Sequence, residues 1–182
     1  ILGAMAALSK NKKSFLMIFA LLGILSTSIL FFIAYGHWEW SLVIFGLSII
    51  GFSGANIFYD SLLVDVSTNE DRNFVSSLGF ALGYLGGGIL FLVNVLMYLY
   101  PKYFYLETQT DGILYSFLSV AGWWFIFSVP LFLFVKQKTY ADKLDIDNLL
   151  KNSFLRVFTT FQEIKKYKAV LIFLIAYWFY ID

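Results

Sequence analysis

Three polar side chains interrupt a long apolar stretch and are the residues best suited to act on a solute. Ser53, Asn56 and Asp60 recur at spacings of three and four, which places them on one face of a helix. The Asp60 carboxylate lies about 10 Å inside the nearer end of that stretch, where inserting a charge costs on the order of 2–3 kcal/mol. Either the stripe lines an aqueous path and couples to an ion, or Asp60 snorkels to the headgroups or pairs with a cation of another helix.

Other kinds of chemistry lack the residues that they need. The chain has no Cys and a single His, His37, so disulfides, thiolate nucleophiles and Cys-ligated zinc are excluded. Only Asp60 and Asp182 are ionisable inside apolar segments, too few for the paired groups of an intramembrane enzyme. We therefore expect no enzymatic activity, no metal and no cofactor.

A second set of small residues follows Asp60 along the chain. The spacings of three and four are typical of membrane helices that approach one another closely, so we predict a helix-packing face or a gate formed by Ser76, Gly79, Gly83, Gly86 and Gly87. The glycines do not have the spacing of a dinucleotide-binding loop. Further along, Asn94 is expected to form an interhelical hydrogen bond.

The elements that must position these residues are membrane helices. The chain is 60% apolar and 14% charged, with a mean hydropathy of +0.77, whereas soluble domains are about half apolar and about a quarter charged. Its long apolar segments exceed the ~10 residues of a membrane strand. We predict an all-α, polytopic membrane protein with spans at about 14–35, 41–66, 74–99 and 112–135.

The basic residues indicate which side of the membrane each loop occupies. One side carries Lys10, Lys12, Lys13, Arg72 and the eight basic residues of 136–168, and the other side carries Lys102 alone. The positive-inside rule places the first group in the cytoplasm. Asp65, near the same interface, is expected to cap its helix or to pair across the loop that contains Arg72.

The segment 136–168 is predicted to contain an amphipathic helix. Ile146, Leu150, Phe154, Val157, Phe161 and Ile164 recur at three and four residues, and the nearby cations suit an anionic leaflet. A connector beneath the bundle and a calmodulin-like or lipid-sensing switch both remain open. The apolar run 169–182 is shorter than the ~20 residues of a span, so the chain is expected to be a fragment.

Two blocks of this sequence resemble the major facilitator superfamily, in its branch of vacuole-effluxer-like proteins. They are FYDSLLVDVSTNEDRNFVSSLGFALGYLGGGIL at 58–90 and FLIAYWFYID at 173–182. Gly3 followed by Lys10, Lys12 and Lys13 is similar to the superfamily's loop between helices 2 and 3. The resemblance implies a fragment running from the end of helix 2 into helix 7 of a twelve-helix carrier. Residues 1–135 then belong to the N-terminal half, 136–168 to the cytoplasmic connector and 169–182 to the C-terminal half.

The same resemblance implies secondary active transport by alternating access. Family likeness points to amino acids or related metabolites as solutes, with protons as a candidate coupling ion. It also adds Asp182 to the path, and it leads us to expect Asn where this chain has Asp60. The expected partners are the bilayer and a small solute, not nucleic acid, and the expected location is a bacterial inner membrane or, alternatively, a vacuolar membrane. A non-transporting receptor or assembly subunit, which binds a partner or anionic lipid through its basic connector, is the alternative.

Overall fold

The computed structural model describes residues 2–9, 11–33, 36–68, 70–135, 146–164 and 166–181. Within these ranges the chain is helical and contains no strand, which confirms the all-α prediction. It divides into two units, Asn11–Thr139 and a second formed by Ile1–Lys10 with Tyr140–Asp182. The helices are α1 (Leu2–Leu8), α2 (Lys12–Leu30), α3 (Trp38–Val66), α4 (Arg72–Leu99), a 3-10 helix (Pro101–Phe104), α5 (Gln109–Phe134), α6 (Ile146–Ile164) and α7 (Lys168–Ile181).

The helices α2 to α5 are the four that are long and apolar enough to cross a membrane within the described ranges. Each begins two or three residues before its predicted span, because polar residues such as Lys12 and Arg72 join the first helical turn. The predicted span 14–35 extends too far, since α2 ends at Leu30. The amides of Phe31, Phe32 and Ile33 donate to carbonyls three residues back, and this tighter turn ends the α-helix. Residues 34 and 35 lie outside the described ranges.

The closest helix contact of the larger unit is between α2 and α3, and glycines allow it. A Cβ added to Gly51 would lie 2.6 Å from the Cα of Gly23, so the two backbones touch at this crossing. One turn away the hydroxyls of Thr27 and Ser48 are 2.7 Å apart and share a hydrogen bond. Small residues and interhelical hydrogen bonds are what hold helices together in lipid.

An aromatic cluster completes the α2–α3 interface toward the end where α2 begins and α3 ends. Phe58 is fully buried, and the rings of Phe15 and Phe19 stack on it at centroid distances of 5.1 and 5.8 Å. Offset stacking of this kind stabilises an interface beyond the apolar area that it buries. The core of this unit is therefore the α2–α3 pair.

The helix α4 packs on α5 and only slightly on α3. The Ser119 hydroxyl donates to Oδ1 of Asn94 over 2.7 Å, which confirms the predicted interhelical hydrogen bond of Asn94. About one turn further along α4, a Cβ on Gly112 would lie 2.7 Å from the Met97 carbonyl oxygen. The helix α5 begins with a capping box between Thr108 and Asp111.

In the second unit α1 packs against α6, which confirms a helix in the segment 146–164. Met5 and Ala6 of α1 are buried. Ser153 of α6 is fully buried, and its hydroxyl donates to the Leu149 carbonyl over 2.7 Å, so burial leaves that donor satisfied. The α6 helix is followed directly by the apolar α7. Residues 136–145, the first part of the predicted connector, lie outside the described ranges.

Candidate functional site

A groove between α3 and α4 brings together two sets of residues that the sequence analysis treated separately. Its volume is about 520 Å³, within the range of small-molecule sites. The α3 wall carries Asn56 and Asp60 from the polar stripe, and the α4 wall carries Ser76, Gly79 and Gly83. The remaining lining residues are Phe52, Tyr59, Leu63, Val75, Phe80 and Tyr84.

The glycines of α4 explain why the groove is open. A Cβ on Gly79 would have the Tyr59 hydroxyl as its nearest neighbour, 3.8 Å away, and a Cβ on Gly83 would have no atom within 4 Å. Along this stripe α4 therefore presents bare backbone to the groove. That the stripe packs against another helix or acts as a gate stays a prediction.

The last two members of the glycine set lie beyond the groove. A Cβ on Gly86 would meet the Trp123 ring at 3.7 Å, so this position faces α5. Gly87 lines a second cavity of about 420 Å³, which it shares with Gly83, Thr27 and Ser48. The two cavities thus meet at Gly83.

Two of the three polar residues predicted on α3 line the groove. Asn56 and Asp60 line it, whereas Ser53 is exposed one turn earlier and does not. Asp182, the fourth predicted path residue, lies outside the described residues, as does Lys10 of the cytoplasmic loop.

In the described ranges Asp65, and not Asp60, pairs with a cation of another helix. Its carboxylate forms an ion pair with the Lys12 ammonium at 3.0 Å, so it pairs with α2 and not across the loop. Arg72 instead donates from Nε to the Ser67 hydroxyl over 3.4 Å. Among the described residues of α3, the ion pair is therefore made by Asp65, and Asp60 remains on the groove wall.

The two lysines at the start of α2 connect three helix ends. Lys12 also donates to the Ser61 carbonyl over 3.2 Å, and Lys13 donates to the carbonyl of Val135, the residue that follows α5, over 2.8 Å. Cations at the carboxyl ends of helices are favourable because the helix dipole is negative there. These contacts place the N-terminal end of α2 beside the C-terminal ends of α3 and α5, as the predicted topology requires.

Sequence reasoning missed the aromatic residues of the groove. Tyr59 follows Asn56 at a spacing of three, while Phe80 and Tyr84 follow Ser76 at spacings of four, so all three lie on helix faces that had already been singled out. That spacing was the available signal. The ion pair of Lys12 with Asp65 had no such signal, because the two residues are 53 positions apart.

The arrangement is suited to binding a small polar or cationic solute. A carboxylate beside aromatic rings attracts a cation, such as a solute ammonium group, by charge and by cation–π interaction. Asn56 adds an amide that both donates and accepts hydrogen bonds. Within the described residues, no group of three or more His, Asp or Glu side chains could hold a metal ion.

Comparison with known proteins places the chain in a family. Residues 64–182 match the family described as vacuole effluxer Atg22 like. The chain is 39% identical over 183 residues to the uncharacterized MFS-type transporter YxiO of Bacillus subtilis strain 168. This alignment covers 100% of the chain and 42% of the relative, so the chain spans about two fifths of that protein's length. No solved structure matches.

The range matched by the family includes one groove wall and leaves out the polar residues of the other. It includes the α4 wall from Val75 to Tyr84 but begins after Asn56 and Asp60, which are covered by the alignment with the Bacillus relative. Together with the apolar helices α2 to α5, these likenesses identify a multi-pass integral membrane protein. The chain belongs to the vacuole effluxer Atg22-like family of MFS-type transporters.

Proposed function

We propose that the full-length protein is a secondary active transporter that moves a small solute by alternating access, and that the α3–α4 groove is part of the solute path. Family membership supports transport, and midplane sites between helices are usual in such carriers. The groove itself supports the location of the path. It is the place where polar side chains of one membrane helix face bare backbone of the next.

The position of Asp60 is the observation that carries this proposal. A carboxylate inside a membrane segment is costly unless it faces a cavity or a partner. In the described part of the chain, Asp60 lines the groove, and Asp65 forms the ion pair with Lys12 of α2. Asp60 therefore has the environment of a path residue, with Asn56 one turn away on the same wall.

Amino acids are the solutes that fit this wall best. Their ammonium group suits Asp60 and the rings of Tyr59 and Tyr84, and their carboxylate suits the amide of Asn56. Proton coupling through Asp60 belongs to the same proposal, because Asp60 is the one acid among the residues that line the groove. Asp182, from the family resemblance, is the second candidate on the path.

Counterflow of labelled amino acids into proteoliposomes that contain the full-length protein tests this function. We expect saturable exchange of at least one amino acid. Asp60→Asn is expected to abolish proton-driven uptake while exchange persists at a higher KM, because the amide still hydrogen-bonds the ammonium group but lacks the negative charge and binds no proton. Glu70→Gln, an acid of the loop outside the groove, is the matched control and should transport normally.

Each negative outcome has a separate meaning. If exchange occurs and Asp60→Asn behaves like the unmodified protein, Asp60 is not on the path. If the folded protein exchanges no amino acid, this solute class is wrong, and a panel of other metabolites then decides between a different carrier and a non-transporting membrane module.

A further inference from the structure

The α6 helix carries two apolar strips, and the structure shows what covers one of them. The first strip contains the half-buried Leu149 and the fully buried Ser153, and we assign it to the contact of α6 with α1, in which Met5 and Ala6 are buried. An amphipathic helix in water is stable only when its remaining apolar face is also covered.

The second strip lies beside the first and is exposed. Leu150, Phe154 and Phe158 follow one another at spacings of four, and their side chains are 38, 58 and 61% exposed. They form a continuous ridge along the helix, since residues four apart are neighbours on its surface. Two phenyl rings and a leucine on one ridge are typical of a surface that is buried by a partner.

The position of α7 indicates what that partner is. The helix α6 ends at Ile164 and α7 begins at Lys168, and a three-residue linker spans at most about 10 Å. From Ala169 to Ile175 α7 is entirely apolar, and most of these side chains are exposed. A helix that is apolar on all sides is buried in a protein core or in a membrane, and in an integral membrane protein we assign α7 to hydrocarbon. Lys166 and Tyr167 between the helices, and Lys168 at the start of α7, are residues that favour the membrane–water interface. The C-terminal end of α6 is therefore held at the surface of the bilayer.

The charges of α6 and the linker complement that surface. Residues 146–168 contain five basic and two acidic side chains, and cytoplasmic leaflets are anionic. Lys151 is exposed and lies one turn before Phe154, so its ammonium group can reach headgroups while the ridge enters the acyl boundary. An acidic protein would satisfy the charges but would not account for the short tether to α7.

We propose that α6 lies in the plane of the cytoplasmic leaflet, with the ridge Leu150–Phe154–Phe158 inserted among anionic lipids and α1 packed on its other apolar strip. This surface is separate from the solute path and does not depend on the identity of the solute. Interfacial helices of this kind bury their apolar face about 5–10 Å into the headgroup boundary.

Site-specific fluorescence in the full-length protein tests the proposal. The 182 residues contain no cysteine, so after removal of any cysteine elsewhere, Phe158→Cys and Asn152→Cys each provide one labelling site for an NBD fluorophore. Asn152 is the matched control, because it is exposed on the polar side of α6. In vesicles with one third phosphatidylglycerol, we expect lipid-attached nitroxides to quench the Phe158 probe about threefold more than the Asn152 probe, and aqueous iodide to do the reverse.

Two results would overturn the proposal. If iodide quenches both probes equally, the ridge is in water. If the Phe158 probe is shielded from iodide and from lipid nitroxide alike, a protein surface covers the ridge. Phe154→Cys should reproduce the Phe158 result, and size-exclusion profiles confirm that each labelled protein is folded.

The lipid charge is tested by a second arm of the same experiment. Replacing phosphatidylglycerol with neutral phosphatidylcholine should reduce nitroxide quenching at Phe158 about twofold, and Lys151→Gln should make the protein less sensitive to that replacement. Lys102→Gln, on the opposite side of the membrane, should leave the dependence unchanged. Equal quenching in neutral and anionic vesicles would overturn the charge contribution.

Discussion

Loss of Lys12 removes more contacts than loss of Asp65. Lys12 has the Asp65 carboxylate and the Ser61 carbonyl within bonding distance, so it keeps one partner when Asp65 is removed. Asp65 is the more exposed of the pair and loses its cation when Lys12 is removed. Removal of Asp65 therefore leaves Lys12 hydrogen-bonded to α3, whereas removal of Lys12 eliminates both contacts.

We expect Lys12→Gln to lower the thermal unfolding temperature in detergent more than Asp65→Asn does. Exposed ion pairs contribute about 1 kcal/mol or less, and Lys12→Gln removes the bond to Ser61 as well. The double variant should lose less stability than the sum of the single variants. Strict additivity would mean that the two side chains do not interact in solution.

Gly51 is the residue at which added volume is least tolerated. Its Cβ position is 2.6 Å from the Cα of Gly23, and backbone cannot move aside as a side chain can. Gly51→Ala should destabilise the protein by about 1–3 kcal/mol, the usual cost of overpacking, in denaturation followed by tryptophan fluorescence. Gly46→Ala in the same helix has open space around its Cβ position and should be neutral or slightly stabilising. Equal effects of both variants would contradict the close crossing.

Among the helices, α4 differs from its neighbours because its glycines face a groove. The sequence predicted α2 to α5 correctly, since a long apolar run has few alternatives to a membrane helix. It did not predict which helix each run packs on. Small residues at spacings of three and four permit a close contact, but they do not determine which helix makes it. In the structure the close contacts are at Gly23, Gly51 and Gly112, outside the predicted glycine set.

The groove could not be predicted from the sequence, because the sequence did not predict which helices pack together. The sequence predicted Asn56 and Asp60 as path residues and the α4 glycines as a packing or gating face, but only the packing of α4 on α5 sets them on opposite walls. The aromatic lining could have been found from its spacing. The pairing of Lys12 with Asp65 could not, because it depends on how α2 and α3 cross.

Gly83→Leu should impair transport without unfolding the protein. The Cβ position of Gly83 has no atom within 4 Å, so a larger side chain fits sterically, but it enters the junction of the two cavities. We expect the rate of counterflow to fall about tenfold, equivalent to about 1.4 kcal/mol, with an unchanged unfolding temperature. Gly88→Leu also enters open space but lies outside both cavities, and should transport normally. If both variants transport equally well, Gly83 does not border the path.

For the molecule as a whole, the charge distribution and the helix contacts give the same sidedness. The predicted cytoplasmic side holds Lys12, Asp65 and Val135, and the structure places these three residues at one end of the unit Asn11–Thr139. Which side of the membrane this end faces stays a prediction, and a labelling experiment tests it.

Membrane-impermeant maleimide should label Lys102→Cys in intact cells and Glu70→Cys only after the membrane is opened. Lys102 lies in the 3-10 helix after α4, and Glu70 lies in the turn before it. The two positions thus differ by one crossing. Labelling of Glu70→Cys in intact cells would reverse the orientation, and labelling of both would contradict a span at α4.

The contacts between α2 and α3 also bear on how the protein is made. The glycine crossing, the aromatic cluster, the bond between Thr27 and Ser48 and the ion pair of Lys12 all join residues between 12 and 66. This hairpin is complete before α4 has been synthesised, and contacts between neighbouring elements form quickly. During insertion, α2 and α3 can therefore leave the translocon as an assembled pair, onto which α5 docks later and brings α4 with it.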